Sequence, residues 1–531
     1  MTNEVVASTH TNENINDEID ERVLAISHER DSNKVAELLH FVNTKDGSTI
    51  RELSLHGIRI DHVVATSFME LLRGTNNEDN DVGEGTRSTS ITTTTKRMWD
   101  VVEFINCSGN VELAMMIAMT MDCITCFNVI RNVDMVENNN DNNCLGFNAI
   151  GIGLQANQNL KSLRITSSVT KSAADALSNG LANTTSLEEL DLRWSSFETD
   201  TGSITSLASG LKKNKSIKSL KLFGCNIDDP ELACLLAALR YHPTLEELNL
   251  NGNTCGMSAT RPLSAMLSYD KTRISRLDIS FQKLPTVIPA NSSTPPNKID
   301  IPHLALSLRS NTSLQFLDLK NNQLTDDDAR LLAASLTYNE TLCEVLLGRN
   351  DIGIVGITEI GNQLPYMTGL KRLSLWGNPG ITEKGALELL QGLERNVDII
   401  DLELFRTFAC SNLIYYYLTL NRGGRKVIWQ RQLQQPPMHA VASAPAAKEV
   451  TTSNTIPLSL WPAVLERANL LDYSKRSFVT NVTINTNATA EERNRNRERL
   501  SQTAQQQNKH DVACAEVIYC LLRNGPVLHE R

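Results

Sequence analysis

Two stretches of this chain carry one pattern, Leu342-Cys-Glu-Val-Leu-Leu-Gly-Arg-Asn350 and, 28 residues further on, Leu370-Lys-Arg-Leu-Ser-Leu-Trp-Gly-Asn378. Each has an aliphatic residue at a first position i, at i+3 and at i+5, and an Asn at i+8. Because side chains alternate across a strand, i+3 and i+5 point to one face while i+4 and i+6 point to the other. The pattern therefore predicts a short strand with a buried inner face and a solvent-facing outer face.

The same pattern recurs along the chain at a near-constant period. The first positions of eight clear copies are 27 to 30 residues apart, with one interval of 40. These first positions are Leu187, Ile217, Leu245, Ile274, Leu314, Leu342, Leu370 and Val397. Weaker copies beginning at Ile50, Trp99, Ile124 and Leu160 bring the count to twelve units. A fixed period of this length is typical of a solenoid, in which each unit buries its apolar face against its neighbours.

Helical periodicity fills the intervals between these strands. Asp229, before Pro230, is predicted to be the N-cap of a helix whose apolar stripe ends at Leu239. Thr325 and Asp328 have the spacing of a capping box. The fold class is therefore predicted to be α/β, a leucine-rich, right-handed curved horseshoe with parallel strands on the concave face and helices on the convex face. The alternative, a doubly wound α/β domain, would not keep one strand motif at one period.

This motif resembles the leucine-rich repeat, and its period is similar to that of the ribonuclease-inhibitor type. In that family the side chain at i+8 forms hydrogen bonds with backbone groups of the turn that leaves the strand. Four units have Asn in this position, at Asn253, Asn322, Asn350 and Asn378. Cys225 is a substitution that the family allows. Three units depart from the pattern, and we expect the ladder of hydrogen bonds to be interrupted there, at Ser195, Gln282 and Phe405.

Composition divides the chain into four segments. Residues 1–48 form a polar segment predicted to contain a short capping helix, and residues 49–407 hold the repeat array. Three polar runs inside the array lack the apolar content to fold and are predicted to be disordered insertions, near 75–97, 136–143 and 285–297. Residues 408–430 carry an apolar stripe that ends at glycines, which predicts a C-terminal cap over the core.

Residues 431–531 are predicted to be a linker followed by two amphipathic helices that dock together. Neither helix is long enough to be stable alone, so each needs a surface to cover. The tail, with Leu-Trp-Pro-Ala-Val-Leu-Glu-Arg-Ala at 460–468, is similar to the tails of uncharacterised leucine-rich repeat proteins of unicellular algae. That resemblance implies no known activity.

Charge and cysteine content exclude several classes of function. The 531 residues include 61 acidic and 51 basic residues, a net charge of -10, which argues against a general nucleic-acid binder. No apolar run reaches the 18 residues of a membrane span, so we expect no membrane partner. Eleven cysteines, an odd number, behind a polar N-terminus favour a reducing compartment, which predicts a cytoplasmic protein and leaves the nucleus possible. The Cys123-x-x-Cys126 pair has no second pair at zinc spacing, so no metal is expected.

No phosphate-binding loop, nucleophile elbow or other catalytic motif is found in the sequence, so we expect no catalytic residue, no cofactor and no enzymatic activity. The predicted function is a monomeric, non-enzymatic scaffold that binds a protein partner on its concave face. The alternative is a regulator of a small GTPase, similar to the Ran GTPase-activating proteins, which have this repeat type. Those proteins carry a long acidic tail, whereas residues 491–499 here are rich in Arg.

The family resemblance implies that partners lie on the concave face, where we expect the outward residues on and just after the strands to bind. Trp, Phe and Arg are the residue types that dominate interface hot spots. The predicted partner-binding residues are Asp191, Arg193, Trp194, Lys221, Phe223, Asn249, Asn251, Asp278, Phe281, Asp318, Lys320, Arg349, Trp376, Asp401 and Glu403. For Trp194 and Trp376, packing against a neighbouring unit is an equally open alternative.

Overall fold

The computed structural model describes residues 23–42, 50–73, 98–109, 123–130, 145–198, 202–283, 298–422 and 425. The three predicted insertions and the predicted tail helices lie outside these residues.

The repeat strands form one parallel sheet of 13 strands, in which each strand pairs with the strands of the preceding and following repeats. In chain order the strands are Val23–Ser27, Glu52–His56, Trp99–Ile105, Ile124–Ile130, Ser162–Thr166, Glu189–Asp191, Ser219–Lys221, Glu247–Asn249, Arg276–Asp278, Phe316–Asp318, Glu344–Leu346, Arg372–Ser374 and Asp401–Glu403. The sheet extends one strand beyond the twelve predicted units, because Leu24 and Ile26 pair with Leu53 and Leu55. Two short parallel pairs flank it, Arg59–Ile60 with Ser108–Gly109 and Ser168–Val169 with Ser196–Phe197.

Helices connect these strands and pack against the helices of neighbouring repeats. In the part of the chain that the structure describes they are Ser32–Phe41, His62–Arg73, Leu145–Ala156, Lys171–Asn183, Ser203–Lys213, Asp229–Leu239, Met257–Leu267, Ile301–Ser310, Asp326–Leu336, Ile354–Gln363, Glu383–Arg395 and Ser411–Arg422, with a 3-10 turn at Leu364–Tyr366. The predicted architecture is confirmed: a leucine-rich repeat solenoid with strands on its concave face and helices on its convex face.

The aliphatic positions of the motif form the core. In the unit that begins at Leu314, the inward residues Leu317 and Leu319 are at most 1% exposed. The same positions of successive units are aligned in the sheet, so that Leu317 lies beside Leu277 and Val345. The core is therefore one continuous column that runs through the repeats, as the constant period predicts.

The helix that begins at Asp229 differs from the prediction in its first residue. Asp228 is the N-cap, and its carboxylate accepts from the backbone N–H of Glu231 at 2.8 Å. The carboxylate of Asp229 instead accepts from the N–H groups of Gly256 (2.7 Å) and Ala259 (2.8 Å), at the start of the next helix. Because Asp229 is already in the first turn of the helix, its buried side chain points toward the neighbouring repeat. The capping box of Thr325 with Asp328 is confirmed.

Asparagines at i+8 form the expected hydrogen-bond ladder. The amide of Asn350 donates to the carbonyls of Leu319 (3.0 Å) and Leu347 (2.9 Å). Its side-chain oxygen accepts from the N–H groups of Asn322 (2.7 Å) and Leu324 (3.2 Å). One buried side chain thus satisfies four backbone groups that belong to two repeats.

The ladder is not interrupted at Ser195 or Gln282, so that prediction is wrong for both residues. Gln282 donates to the carbonyl of Leu250 at 3.0 Å and accepts from the N–H of Cys255 at 2.8 Å. The Ser195 hydroxyl donates to the carbonyl of Ile165 at 3.0 Å. A longer amide or a hydroxyl reaches the same carbonyls as Asn, and the Cys225 thiol also donates across the repeats.

The last repeat lies two residues away from its predicted register. Leu402 pairs with Leu373, and Ile399 is fully buried, so the motif begins at Ile399 and not at Val397. Asn396 sets this register, because its side-chain oxygen accepts from the N–H of Ile399 at 2.7 Å. Phe405 then lies at i+6, on the outer face, and not in the ladder.

A second asparagine ladder, which the sequence analysis did not predict, lies where each helix turns into the next strand. Asn339, three residues before Leu342, donates to the carbonyl of Leu308 at 2.6 Å and accepts from the N–H of Leu342 at 2.7 Å. The same arrangement occurs at Asn214, Asn311 and Asn396. The strands Phe316–Asp318 and Glu344–Leu346 are therefore fixed by amide side chains at both ends.

Candidate protein-binding surface

The outward side chains at i+4 are less available than the sequence predicts. Asp191 and Asp318 are only 4% and 5% exposed. Asp191 lies under the guanidinium of Arg193, with an Nη2 to Oδ2 distance of 2.7 Å, and forms an ion pair with Arg164 of the preceding repeat at 3.5 Å. The prediction that Asp191 and Asp318 are accessible to a partner is therefore wrong. Long cationic side chains from the same face cover these short carboxylates.

The i+4 carboxylates and amides also have a structural role. Asp191, Asn249, Asp278 and Asp318 each accept from the backbone N–H two residues further along the chain, at distances from 2.9 to 3.1 Å. These bonds satisfy donors at the end of the strand that would otherwise lack a partner. Burial, followed by the nearby Asp278 carboxylate, raises the pKa of Asp318.

Polar side chains of neighbouring strands bind one another across the concave face. Asn249 donates to Asp278 at 3.1 Å, and Asn251 donates to the hydroxyl of Ser280 at 2.6 Å. Ion pairs join Lys320 to Asp318 and Lys221 to Glu189. Many of the polar side chains predicted to bind a partner therefore already have hydrogen-bond or ion-pair partners within the protein. Asp401 and Glu403 lie on the last strand and are half-buried.

Five exposed or half-buried aromatic residues lie along one edge of the sheet, at i+6 and i+7, where each strand ends. We call this the aromatic edge, and its members are Trp194, Phe223, Phe281, Trp376 and Phe405. Trp194 is 53% exposed, and its ring centroid lies 4.4 Å from that of Phe223 in the next repeat. Trp376 and Phe405 form a second pair at 5.3 Å. Phe405 was missed by the sequence analysis because the register of its repeat was wrong.

The backbone at i+7 is left-handed in most described units, and this makes three residues of the surface unusual. Several units place Gly or Asn at i+7, as at Gly252 (φ 71°) and Asn321 (φ 54°). Trp194, Phe281 and Arg349 adopt the same conformation, with φ of 61°, 54° and 56°. A bulky residue there costs on the order of 1–3 kcal/mol, and such strain clusters at functional sites. Stability alone would favour Gly or Asn at all three positions.

The two tryptophans differ in their surroundings. Trp376 is half-buried, with the guanidinium carbon of Arg349 lying 4.6 Å from its ring centroid. Trp194 covers Gly224, where a Cβ would come within 2.7 Å of the indole, but more than half of its side chain is exposed. Trp194 is therefore the more accessible anchor, whereas Trp376 combines packing with exposure.

The outward row at i+2 was missed by the sequence analysis. It includes Arg276, whose guanidinium carbon lies 4.1 Å from the ring centroid of Phe316, and Arg372, which pairs with Glu344. Strand alternation carries the signal that would have found this row, because i+2 and i+4 share a face. Contacts within the row are again between consecutive repeats.

The described cysteines and helices show neither a metal site nor a membrane span. No disulfide joins the eight described cysteines, and the described residues contain no group of three potential metal ligands. Burial raises the pKa of Cys225 to about 12, which keeps its thiol protonated. Cys234 is exposed, because the buried stripe of its helix runs through Leu235 and Leu236. None of the described helices combines the length and apolarity needed to cross a membrane.

Comparison with known proteins agrees with this fold. The Leucine Rich repeat family model matches residues 213–235 and 310–333. Leucine-rich repeat-containing protein 73 of Homo sapiens is 30% identical over 204 residues, which cover 37% of this chain and 60% of that protein. Ribonuclease inhibitor of Sus scrofa is 29% identical over 266 residues, which cover 49% and 55%. Capping protein, Arp2/3 and myosin-I linker protein 3 of Rattus norvegicus is 30% identical over 202 residues, which cover 38% and 14%.

The chain has the leucine-rich repeat fold and is similar to proteins of the ribonuclease-inhibitor-like type. It spans at most 60% of the length of these three relatives.

Proposed function

We propose that this protein is a non-enzymatic scaffold that binds a protein partner along the aromatic edge and the adjoining concave face. The observation that carries the proposal is the left-handed backbone at the exposed Trp194 and Phe281, where Gly or Asn would be less strained. Aromatic side chains contribute large, rigid contact areas and are enriched among interface hot spots.

The spacing of the aromatic pairs indicates the size of the partner. Trp194 and Trp376 lie on strands six places apart in the sheet, which at about 4.8 Å per strand corresponds to roughly 29 Å. A ligand that contacts both pairs is therefore protein-sized, and its interface is expected to exceed about 1,200 Å². A small molecule would occupy one pair at most.

The names of two relatives support the same class of function. One is named as an inhibitor of ribonuclease, and another as a linker of capping protein, Arp2/3 and myosin-I. Both names describe binding to other proteins. For this chain we propose the class of function and not these partners, and we place the protein in the cytoplasm as a monomer.

The proposal is tested by quantitative affinity capture from cell lysate with three forms of the chain. The wild type is compared with Trp194→Gly and with the control Asn321→Gly, which changes an exposed residue at the same left-handed position. We expect a protein that is retained by the wild type and the control and depleted in the Trp194→Gly capture. An unchanged set of captured proteins would contradict binding at the aromatic edge.

Regulation of a small GTPase is the second candidate, and the same capture separates it from a plain scaffold. A GTPase among the depleted proteins, together with faster GTP hydrolysis when the purified chain is added, would favour the regulator. Depletion of other proteins without an effect on hydrolysis would favour the scaffold.

A further inference from the structure

A second exposed aromatic row lies at the opposite ends of the strands, where each helix turns into the next strand. Tyr241, Tyr338 and Tyr366 each precede the first position of a repeat by four residues, and Tyr269 lies in the corresponding turn of another. The three tyrosines are 61%, 60% and 63% exposed. We call this row the tyrosine edge. Because these turns precede the strands and the aromatic edge follows them, the sheet separates the two rows.

Contacts between repeats hold the tyrosine rings in place without burying them. Tyr241 and Tyr269 form an edge-to-face pair with centroids 5.0 Å apart. The guanidinium carbon of Arg309 lies 3.7 Å from the ring centroid of Tyr338, which belongs to the next repeat. Rings that sealed the core would lose most of their exposure. These rings keep it, so they form a preorganised surface, which lowers the entropy lost on binding.

The N-terminal part of this edge is basic although the whole chain is acidic. The six turns 212–216, 240–244, 269–273, 309–313, 337–341 and 365–369 together contain seven Lys or Arg residues and two carboxylates, against a net charge of -10 for the chain. All seven basic residues lie in the first four of these turns. Lys212, Lys213, Lys215 and Lys271 are exposed, and none of the ion pairs within the described residues includes them. Their charges are therefore available to a ligand.

We propose that the tyrosine edge binds an acidic protein segment, at a surface separate from the aromatic edge. Arg forks and Lys groups form charge-assisted hydrogen bonds with carboxylates, and Tyr hydroxyls add further donors. Complementary charge also accelerates the encounter with an acidic partner. A nucleic acid is the less favourable occupant, because the remainder of the chain repels a polyanion that extends beyond this short edge. The scaffold can thus hold two ligands at once.

Fluorescence anisotropy tests the proposal with the full chain and a fluorescein-labelled peptide of ten glutamates at 50 and 150 mM salt. Lys213→Glu is compared with Lys384→Glu, an equal charge reversal at an exposed lysine on the helix Glu383–Arg395. We expect binding to weaken about tenfold in Lys213→Glu and less than twofold in Lys384→Glu. Tyr338→Ala, which keeps the charge but removes the platform under Arg309, is expected to weaken binding about threefold or more.

Equal loss in the two lysine variants, or no measurable binding of the peptide, would overturn the proposal. Tighter binding of a labelled twenty-nucleotide thymidine strand than of the peptide would assign the edge to nucleic acid instead. Trp194→Gly serves as the second control. It is expected to leave peptide binding unchanged, so failure at this edge is distinguishable from failure at the aromatic edge.

Discussion

The indole of Trp376 lies over the backbone of Gly348 in the preceding repeat, so closely that a Cβ on Gly348 would be 2.7 Å from the indole Nε1. Gly348 therefore provides the space that this side chain occupies. We predict that Gly348→Ala displaces the indole and lowers the free energy of unfolding by about 1–3 kcal/mol, as overpacking does. Denaturant titration followed by tryptophan fluorescence measures both effects.

A double-mutant cycle provides the control for this prediction. If the clash is with the indole, Gly348→Ala should cost much less when Trp376 is already Ala. Equal costs in the two backgrounds would show that the Ala side chain disturbs something other than Trp376.

Asn350 is predicted to be among the costliest polar residues to remove. Asn350→Ala leaves two buried carbonyls and two buried N–H groups without their side-chain partner. We expect a loss of about 2–4 kcal/mol, since each unsatisfied buried group costs roughly 1–3 kcal/mol and relaxation recovers part. Asp351→Ala, at the exposed neighbouring residue, should cost less than about 0.5 kcal/mol. Chemical denaturation that gives equal losses would contradict the structural role of the ladder.

Asp318 is predicted to reduce stability at neutral pH. Its pKa is raised in the folded protein, so the unfolded state releases the proton more readily and stability falls as pH rises above about 4. Asp318→Asn keeps an oxygen for the N–H of Lys320, as Asn249 does in its own repeat. The variant should be more stable than the wild type at pH 8, with the difference vanishing near pH 4. A less stable variant at pH 8 would mean that the ion pair with Lys320 outweighs burial.

His242 occupies the turn position that holds Asn in other repeats, and burial lowers its pKa to about 4. Below about pH 6.5 the unfolded state binds a proton at His242 while the folded state does not. Stability therefore falls as the pH is lowered from about 6.5 to 4. The total loss from this residue is on the order of 3 kcal/mol. His242→Asn should remove this dependence and add about 1 kcal/mol at pH 7 through new hydrogen bonds. If the melting temperatures of His242→Asn and of the wild type fall by the same amount between pH 6.5 and 4, this role of His242 is contradicted.

The repeat motif predicted most of the fold because burial at i, i+3 and i+5 repeats in every unit. The register of the last repeat was ambiguous because Val397 and Ile399 are both aliphatic and two residues apart, so either phase keeps the same outward residues. The strand Val23–Ser27 has Leu24 and Ile26 but Glu21 at its first position, which concealed it.

The solvent exposure of the outward residues was harder to predict than the face of the sheet on which they lie. Alternation places Asp191 on the outer face, but its burial depends on Arg164 of the preceding repeat, a contact between residues distant in sequence. The second asparagine ladder was within reach of the sequence, since Asn recurs three residues before several motifs. The left-handed backbone conformation of Trp194 could not be predicted from the sequence, because this conformation favours Gly or Asn and not Trp.

Hydroxyl-radical footprinting of the protein, free and bound to its captured partner, tests the central claim most directly because it reports side-chain exposure. We predict that Trp194, Phe281 and Phe405 become protected in the complex. Ile152 and Leu306, which are 61% and 68% exposed on helices, should react equally in both states. Protection of these two helix residues, with the three aromatic residues unchanged, would contradict the account and place the partner on the convex face.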